Sequence, residues 1–435
     1  MKKEPQNIRK LALRAIATER FDFLWDIICI ILSEIRECKM IKTLWQPPRL
    51  RTPEENEKER RATWLELFYD LVFVAAIAEV AHNLNEHVSL LGFLGYMLLF
   101  VPIWWSWVGA TFYASRFDTD DLGHRLLTLL QMIAIAVLAV NVHYGLGKTS
   151  DGFALSYVTV RCILIFQYLS AGYFVVAARK LTTWYVIGFS IAAAIWLISI
   201  FVPIPWRFWL WGLGFLIDFG TPLTARQLAA KVPPSFSHIP ERLGLFTIIV
   251  LGEAVIGVVK GVSQLQWGIA SATVAVLGMI VAFSLWWIYF DSVDGSPLRR
   301  MGTGNLNFGL IWLYSHLPLA IGIAAAGVGV EHIVVSSKTA GALPSNERWL
   351  ICGAVTMCLI ALAVIHLITC TLGTKRHRKI LAAYRLGSAA FILVIAIAGA
   401  ALSPITVVSL VALACAVQVV LGFLTPPHVQ PEAKC

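Results

Sequence analysis

LLGFLGYMLLFVPIWWSWVGATFYA, residues 90–114, holds no charged side chain over a length that would measure about 37 Å as a helix. The hydrocarbon core of a bilayer is roughly 30 Å thick, and a chain crossing it must satisfy its backbone polar groups internally. The stretch therefore reads as a membrane-spanning helix, and the rest of the chain repeats the pattern. Hydrophobic residues make up 58% of the 435 and charged residues only 14%, against roughly 25% charged in a soluble globular protein. With a mean hydropathy of +0.73, the chain has too few polar residues to build a water-facing surface, and lipid must be its solvent. Working outward from 90–114, spans are expected near 64–82, 90–114, 123–145, 153–178, 181–202, 206–223, 239–259, 265–290, 305–330, 348–371, 381–402 and 404–424. The expected fold class is an all-α polytopic membrane protein of about twelve transmembrane helices.

Charge placement predicts orientation. The net charge of +9 would suggest nucleic acid in a soluble protein, but here the basic residues lie in short loops and form no continuous face for a phosphate backbone, so no nucleic-acid partner is expected. Arg116, Arg125, Arg179, Lys180, Arg226, Lys231, Arg242, Arg299, Arg300 and the Lys375–Lys379 cluster fall on one side. The other side holds only Lys148, Arg207, Lys260, Lys338 and Arg348. By the positive-inside rule the first set is cytoplasmic, with both termini. Residues 1–60 form a basic segment whose FDFLWDIICIIL, 21–32, is too short to span and suits an amphipathic helix on the membrane face. Residues 426–435 form a cytoplasmic tail. None of the eight cysteines forms a CxxC pair, so no metal or disulfide framework is expected. No HExxH, GxSxG, Walker-type or GxGxxG pattern occurs, so neither an enzymatic activity nor a cofactor is expected.

The chain also resembles itself. ELFYDLVF at 66–73 opens the first span and GLFTIIVL at 244–251 the seventh, with Phe68 and Phe246 178 residues apart. Trp104-Trp105 and Trp286-Trp287 end the second and eighth spans, 182 residues apart. Two parallel six-helix repeats, 61–235 and 236–425, are expected on that offset.

Ionisable groups inside spans are the candidates for function, since each is costly in lipid and needs a partner. Glu66, Asp70, Phe73 and Ile77 fall on one face of the first span. Two carboxylates thus stand one turn apart near its cytoplasmic end, where they either join an ion or substrate path or pair with loop arginines. Glu79 lies on the opposite face, with His82 one turn on. Arg161 and Glu253 sit at matching depth from the outer ends of the fourth and seventh spans, which predicts a buried pair. His316 is near the middle of the ninth span beside Pro318. Asp218 and Asp291 read as water-accessible cytoplasmic ends, and the tryptophans at span ends as interfacial belts. AIGIAAAGVGV, 320–330, reads as a close-packing surface.

WLELFYDLVFVAAIAE at 64–79, LFTIIVLGEAVIG at 245–257 and LWWIYFD at 285–291 resemble the bacterial low-temperature-requirement A family over residues 55 to 425. That resemblance implies a multi-pass protein of the bacterial cytoplasmic membrane and no established reaction. FYDLVFVAAI, 68–77, is similar to the opening helix of the endolysosomal potassium and proton channel family, where Tyr69 replaces a serine and Trp64 an arginine. That likeness implies that Phe68, Phe73 and Ile77, with Asp70, lie along or behind a pore path, Phe68, Phe73 and Ile77 being the candidates to line it. The expected function is transport of an ion or small solute. A channel would have an apolar seam of the first and seventh spans, and a transporter a midplane cavity bearing Glu253, Arg161 and His316. A non-transporting stress-response or assembly factor is the alternative. Lipid is the expected partner, and a homo-oligomer is compatible with the sequence.

Overall fold

The computed structural model describes residues 46–51, 61–118, 121–263, 268–292, 296–298, 306–337, 341–369 and 374–425. The expected N-terminal amphipathic helix and the C-terminal tail lie outside the described residues. Twelve long helices are described: α1 (Trp64–Glu86), α2 (Leu90–Arg116), α3 (Leu122–Val140), α4 (Ser150–Phe174), α5 (Arg179–Ser199), α6 (Trp206–Thr224), α7 (His238–Ser263), α8 (Ile269–Phe290), α9 (Leu306–Ser336), α10 (Ser345–Ile368), α11 (Lys375–Ala398) and α12 (Pro404–Leu424). Each falls on one expected span. The Lys375–Lys379 cluster, expected in a loop, instead forms the first turn of α11 behind the Thr374 cap. Among the described residues ten helices are long and apolar enough to cross a membrane. The remaining two long helices are α1, which carries Glu66, Asp70, Glu79 and Glu86, and α6. The protein is an all-α polytopic membrane protein. Its one described sheet is a two-residue antiparallel pairing of β1 (Arg49–Leu50) with β2 (Phe117–Asp118).

The long helix α9 is the centre of the bundle, packed against α1, α2, α7, α8, α10 and α12. Its small residues make this possible, as the run 320–330 suggested. A Cβ on Gly327 would stand 2.6 Å from Ala254 Cα on α7, and one on Gly322 would stand 2.8 Å from the Ala354 carbonyl oxygen on α10. Backbones touch where side chains would hold helices apart. The same helix pairs recur in order along the chain: α1–α3, α3–α4 and α4–α5 in the first half, α7–α9, α9–α10 and α10–α11 in the second. Trp105 of α2 stacks on Phe219 of α6 at 4.3 Å, and Trp287 of α8 meets Phe423 of α12 edge-on at 5.4 Å. Phe68 and Phe246 do not share an environment: Phe68 is 57% exposed and Phe246 is buried.

Two expectations about aromatic residues are corrected. Trp104, Trp105, Trp107 and Trp211 are core residues and not belts. They are held by partners on other helices, Trp107 by Phe246 at 4.5 Å and Trp211 by Trp196 at 4.6 Å. Trp206 and Trp209 are exposed, as belt residues should be. Phe68 lies two residues beyond Glu66, about 200° round the helix, and so points away from the face shared by Glu66, Asp70, Phe73 and Ile77.

Candidate functional site

Helices α1 and α7 pack together in the same direction, which their ion pairs reveal. Glu66 and Asp70 are one turn apart on α1, as are His238 and Arg242 on α7, and the pairs Glu66–His238 and Asp70–Arg242 are both 172 residues apart. Two rungs with one constant offset require parallel helices in register. Glu66 begins α1 as part of a capping box: its backbone N–H donates to Thr63 Oγ1, and its Oε2 accepts the Thr63 N–H at 2.8 Å. Its Oε1 is 3.2 Å from His238 Nε2 and 3.4 Å from Arg242 Nη1. Asp70 Oδ1 accepts from Arg242 Nη2 at 2.6 Å and from Trp107 Nε1 at 2.7 Å, while its Oδ2 has no hydrogen-bond partner. Beside this network a cavity of about 30 Å³, lined by Tyr69, Thr111, Gln131, Gln167, Glu66 and Arg242 among others, has room for a water. The loop-arginine reading of Glu66 and Asp70 is thus realised, except that Arg242 belongs to α7 itself.

Further along the same seam the polar groups stop. Phe73, Ile77 and Val80 of α1 and Phe246 and Val250 of α7 are buried, and Trp107 leans on Phe246. Polar groups return at Glu253 of α7, eleven residues or about 16 Å beyond Arg242 at 1.5 Å each, and on α1 at Asn85, fifteen residues or about 22 Å beyond Asp70. There Asn85 Nδ2 donates to Glu331 Oε1 of α9 at 2.9 Å, and His332 Nε2 is 3.1 Å from the Asn85 carbonyl oxygen. A cavity of about 10 Å³ is lined by His82 and Asn85 of α1, Glu253, Gly257 and Lys260 of α7, and Glu331 of α9. Glu253 and Glu331 are both buried, and Glu253 Oε2 has no hydrogen-bond partner. The seam therefore carries two carboxylates at each end with an apolar stretch between them.

The expected Arg161–Glu253 pair does not form. Arg161 pairs with Asp218 of α6, Nη2 to Oδ1 at 2.5 Å and Nε to Oδ2 at 3.2 Å, and Tyr157 Oη donates to Asp218 Oδ2 at 2.6 Å. Phe189, Tyr157 and Trp105 surround the guanidinium at 4.7, 5.5 and 6.0 Å. Asp218 is fully buried and not water-accessible. It stands twelve residues into α6 and Arg161 eleven into α4, so their depths match as well as those of the expected pair. The sequence reading placed Asp218 too near the cytoplasmic end and did not show which helix faces which. His316 joins neither group. Its Nδ1 is 2.7 Å from the Trp312 carbonyl oxygen and its ring meets Tyr289 edge-on. Glu79 is exposed. The midplane cavity of Glu253, Arg161 and His316 is accordingly not present: the three lie in three separate environments. Glu331 escaped the sequence reading because the ninth span was ended one residue short of it. Asn85 and His238 likewise lay just beyond the expected span ends.

Comparison with known proteins places these residues in a family context. The sequence pattern described as bacterial low temperature requirement A protein matches residues 61–424, which contain every residue of the seam. An uncharacterised protein of Rhizobium meliloti (strain 1021) is 25% identical over 296 residues, covering 64% of this chain and 71% of the relative. No solved structure matches the chain.

Proposed function

We propose that this chain, which belongs to the bacterial low temperature requirement A family, moves a small monovalent cation across the bacterial cytoplasmic membrane along the α1–α7–α9 seam. The observation that carries the proposal is the distribution of charge. Glu66 and Asp70 stand at one end of the seam with Arg242 as the buried cation facing them, and Glu253 and Glu331 stand at the other, where Lys260 lines the same cavity. Carboxylates are retained in lipid at a cost, and an excess of them along one helix interface suits a cation or a proton relay. Asp70 Oδ2 and Glu253 Oε2, each without a hydrogen-bond partner, are the atoms on which a cation or proton would land. The apolar middle, Phe73, Ile77, Phe246 and Val250, acts as the closed barrier. In this reading Arg161–Asp218 fixes α4 to α6, and residues 61–235 and 236–425 are parallel repeats whose first helices form the seam. The ends of the chain and the α11 cluster Lys375–Lys379 face the cytoplasm.

The test is flux into proteoliposomes holding the full-length chain, with proton, potassium and sodium gradients applied singly. Wild type should dissipate at least one of them, and Glu253→Gln should slow that flux while leaving the melting temperature in place. Equal flux from wild type and from empty liposomes for all three cations would remove the proposal. It would favour the second reading, a non-transporting membrane factor, which the packed middle of the seam also suits.

A further inference from the structure

Where α1 ends, three side chains from two segments converge, of which only His82 also borders the seam, at the edge of its Glu253–Glu331 cavity. His82 and Glu86 stand one helical turn apart, and His143 comes from the turn that joins α3 to α4. His82 Nε2 is 3.6 Å from Glu86 Oε1, and His143 Nδ1 is 3.6 Å from Glu86 Oε2. One donor atom from each of the three lies within 4.8 Å of the other two. The imidazoles are nearly parallel, 17° apart, with ring centres 6.1 Å from one another. We propose that His82, Glu86 and His143 form a binding site for a divalent transition-metal ion of the zinc class, on the end of the bundle away from Arg242.

The geometry favours chelation over a simple surface pair. Zinc bonds to imidazole nitrogen and carboxylate oxygen are about 2.0–2.2 Å, which sets donor atoms of a tetrahedral site roughly 3.4 Å apart. Each imidazole nitrogen is within a few tenths of that from one of the two Glu86 oxygens, and side-chain rotation has to draw the three donors in from the 4.8 Å within which they now lie. A histidine and a glutamate at i,i+4 alone would be an ordinary helix-surface pair. The third donor changes this, because His143 arrives from a separate segment and is held in position. Asn83, next to His82, donates from Nδ2 to the His143 carbonyl oxygen at 2.9 Å. Thr149 Oγ1 donates to the Asn141 carbonyl oxygen at 2.8 Å, closing the turn, and Val142 anchors it in the core. Two imidazoles and one carboxylate suit zinc, cobalt, nickel or copper, whereas magnesium and calcium prefer all-oxygen sets. The three side chains are between a third and a half exposed. That exposure leaves a coordination position for water and an open route for the ion to arrive and leave. A bound ion would tie the end of α1 to the α3–α4 turn, and so fix one of the three helices that form the seam. The site itself does not depend on what the seam carries.

The experiment uses purified full-length chain in detergent, free of any polyhistidine tag and stripped with chelator. Zinc is titrated in competition with a chromophoric chelator. Wild type should hold one equivalent at least on the order of 100-fold more tightly than the double variant His82→Ala/His143→Ala, and Glu86→Gln should weaken it similarly. Asn83→Ala, which removes only the support of the His143 turn, should weaken it about 10- to 100-fold. Cobalt should give a visible absorption band of a nitrogen- and oxygen-ligated, four- or five-coordinate ion, bleached by one equivalent of zinc. Size-exclusion elution and melting temperature confirm that the variants are folded, and His143→Gln replaces any that is not. Wild-type-like zinc affinity in the folded double variant, or no stoichiometric zinc on wild type, overturns the proposal.

Discussion

Replacing Arg242 with alanine isolates what holds α1 against α7. The substitution leaves Asp70, which is 1% exposed, and Glu66 facing each other with His238 as the remaining cationic candidate. Arg242 makes one contact of 2.6 Å with Asp70 and one of 3.4 Å with Glu66. At an effective dielectric constant of 20 the gross attraction is about 6 kcal/mol for the closer pair and about 5 kcal/mol for the other, most of it offset by the desolvation of the charges. What a single substitution exposes is the uncompensated carboxylate, and breaking a buried pair in this way costs about 3–5 kcal/mol. The Trp107 hydrogen bond to Asp70 softens the loss without replacing a charge. Arg242→Ala should therefore unfold at a markedly lower temperature in detergent, read by intrinsic tryptophan fluorescence. Asp70→Asn/Arg242→Met, which removes both charges, should recover most of the deficit because the one carboxylate left, Glu66, keeps His238 at 3.2 Å and the Thr63 N–H at 2.8 Å. A single variant that melts like wild type, or a double variant no better than the single, would refute the reasoning that the pair is buried and mutually compensating.

Three further outcomes follow from the packing. Arg161→Ala and Asp218→Ala should be strongly non-additive in stability, whereas Arg161→Ala and Glu253→Ala, which share no partner, should add to within about 0.5 kcal/mol in denaturant or thermal melts. Gly327→Val should lower stability by about 1–3 kcal/mol through overpacking, since its Cβ would stand 2.6 Å from Ala254 Cα; Gly353→Ala, inside α10 with nothing within 4 Å, should not lower it and should gain up to about 1 kcal/mol of helix propensity in the same melt. On a cysteine-free background, Lys148→Cys should react with a membrane-impermeant maleimide added to intact cells, and Arg376→Cys only after permeabilisation. The reverse pattern would invert the proposed orientation.

Local periodicity made part of the site legible. Glu66, Asp70, Phe73 and Ile77 share a buried face because spacing along one helix is a property of the sequence alone. Partner choice was not legible in the same way. Asp218 read as a cytoplasmic end, yet it stands as deep in α6 as Arg161 does in α4, and side-chain contacts between those two helices select it over Glu253. The tryptophans misled for a related reason. Their position near span ends suggests an interface, yet Trp107 is drawn inward by the Asp70 carboxylate that its indole N–H satisfies. Phe68 entered the expected pore through family likeness and not through its helical phase, and its phase places it on the outside. Glu331 was lost to a boundary error of one residue, where an apolar run gives no sign that its helix continues to Ser336.

Glu66 has two employments, and they are chemically inseparable. One oxygen, Oε2, accepts the Thr63 N–H and fastens the first turn of α1, while the other, Oε1, faces His238 and Arg242. Both oxygens belong to one delocalised anion, so protonating it or drawing a cation to it weakens the fastening at the same moment. Reciprocity of linked equilibria then requires the converse: the winding of that first turn sets how strongly the carboxylate holds a proton or an ion. The start of α1 is in this sense a reporter of the charge state at one end of the seam, and amide hydrogen exchange at Leu65, Glu66 and Leu67 would read it directly.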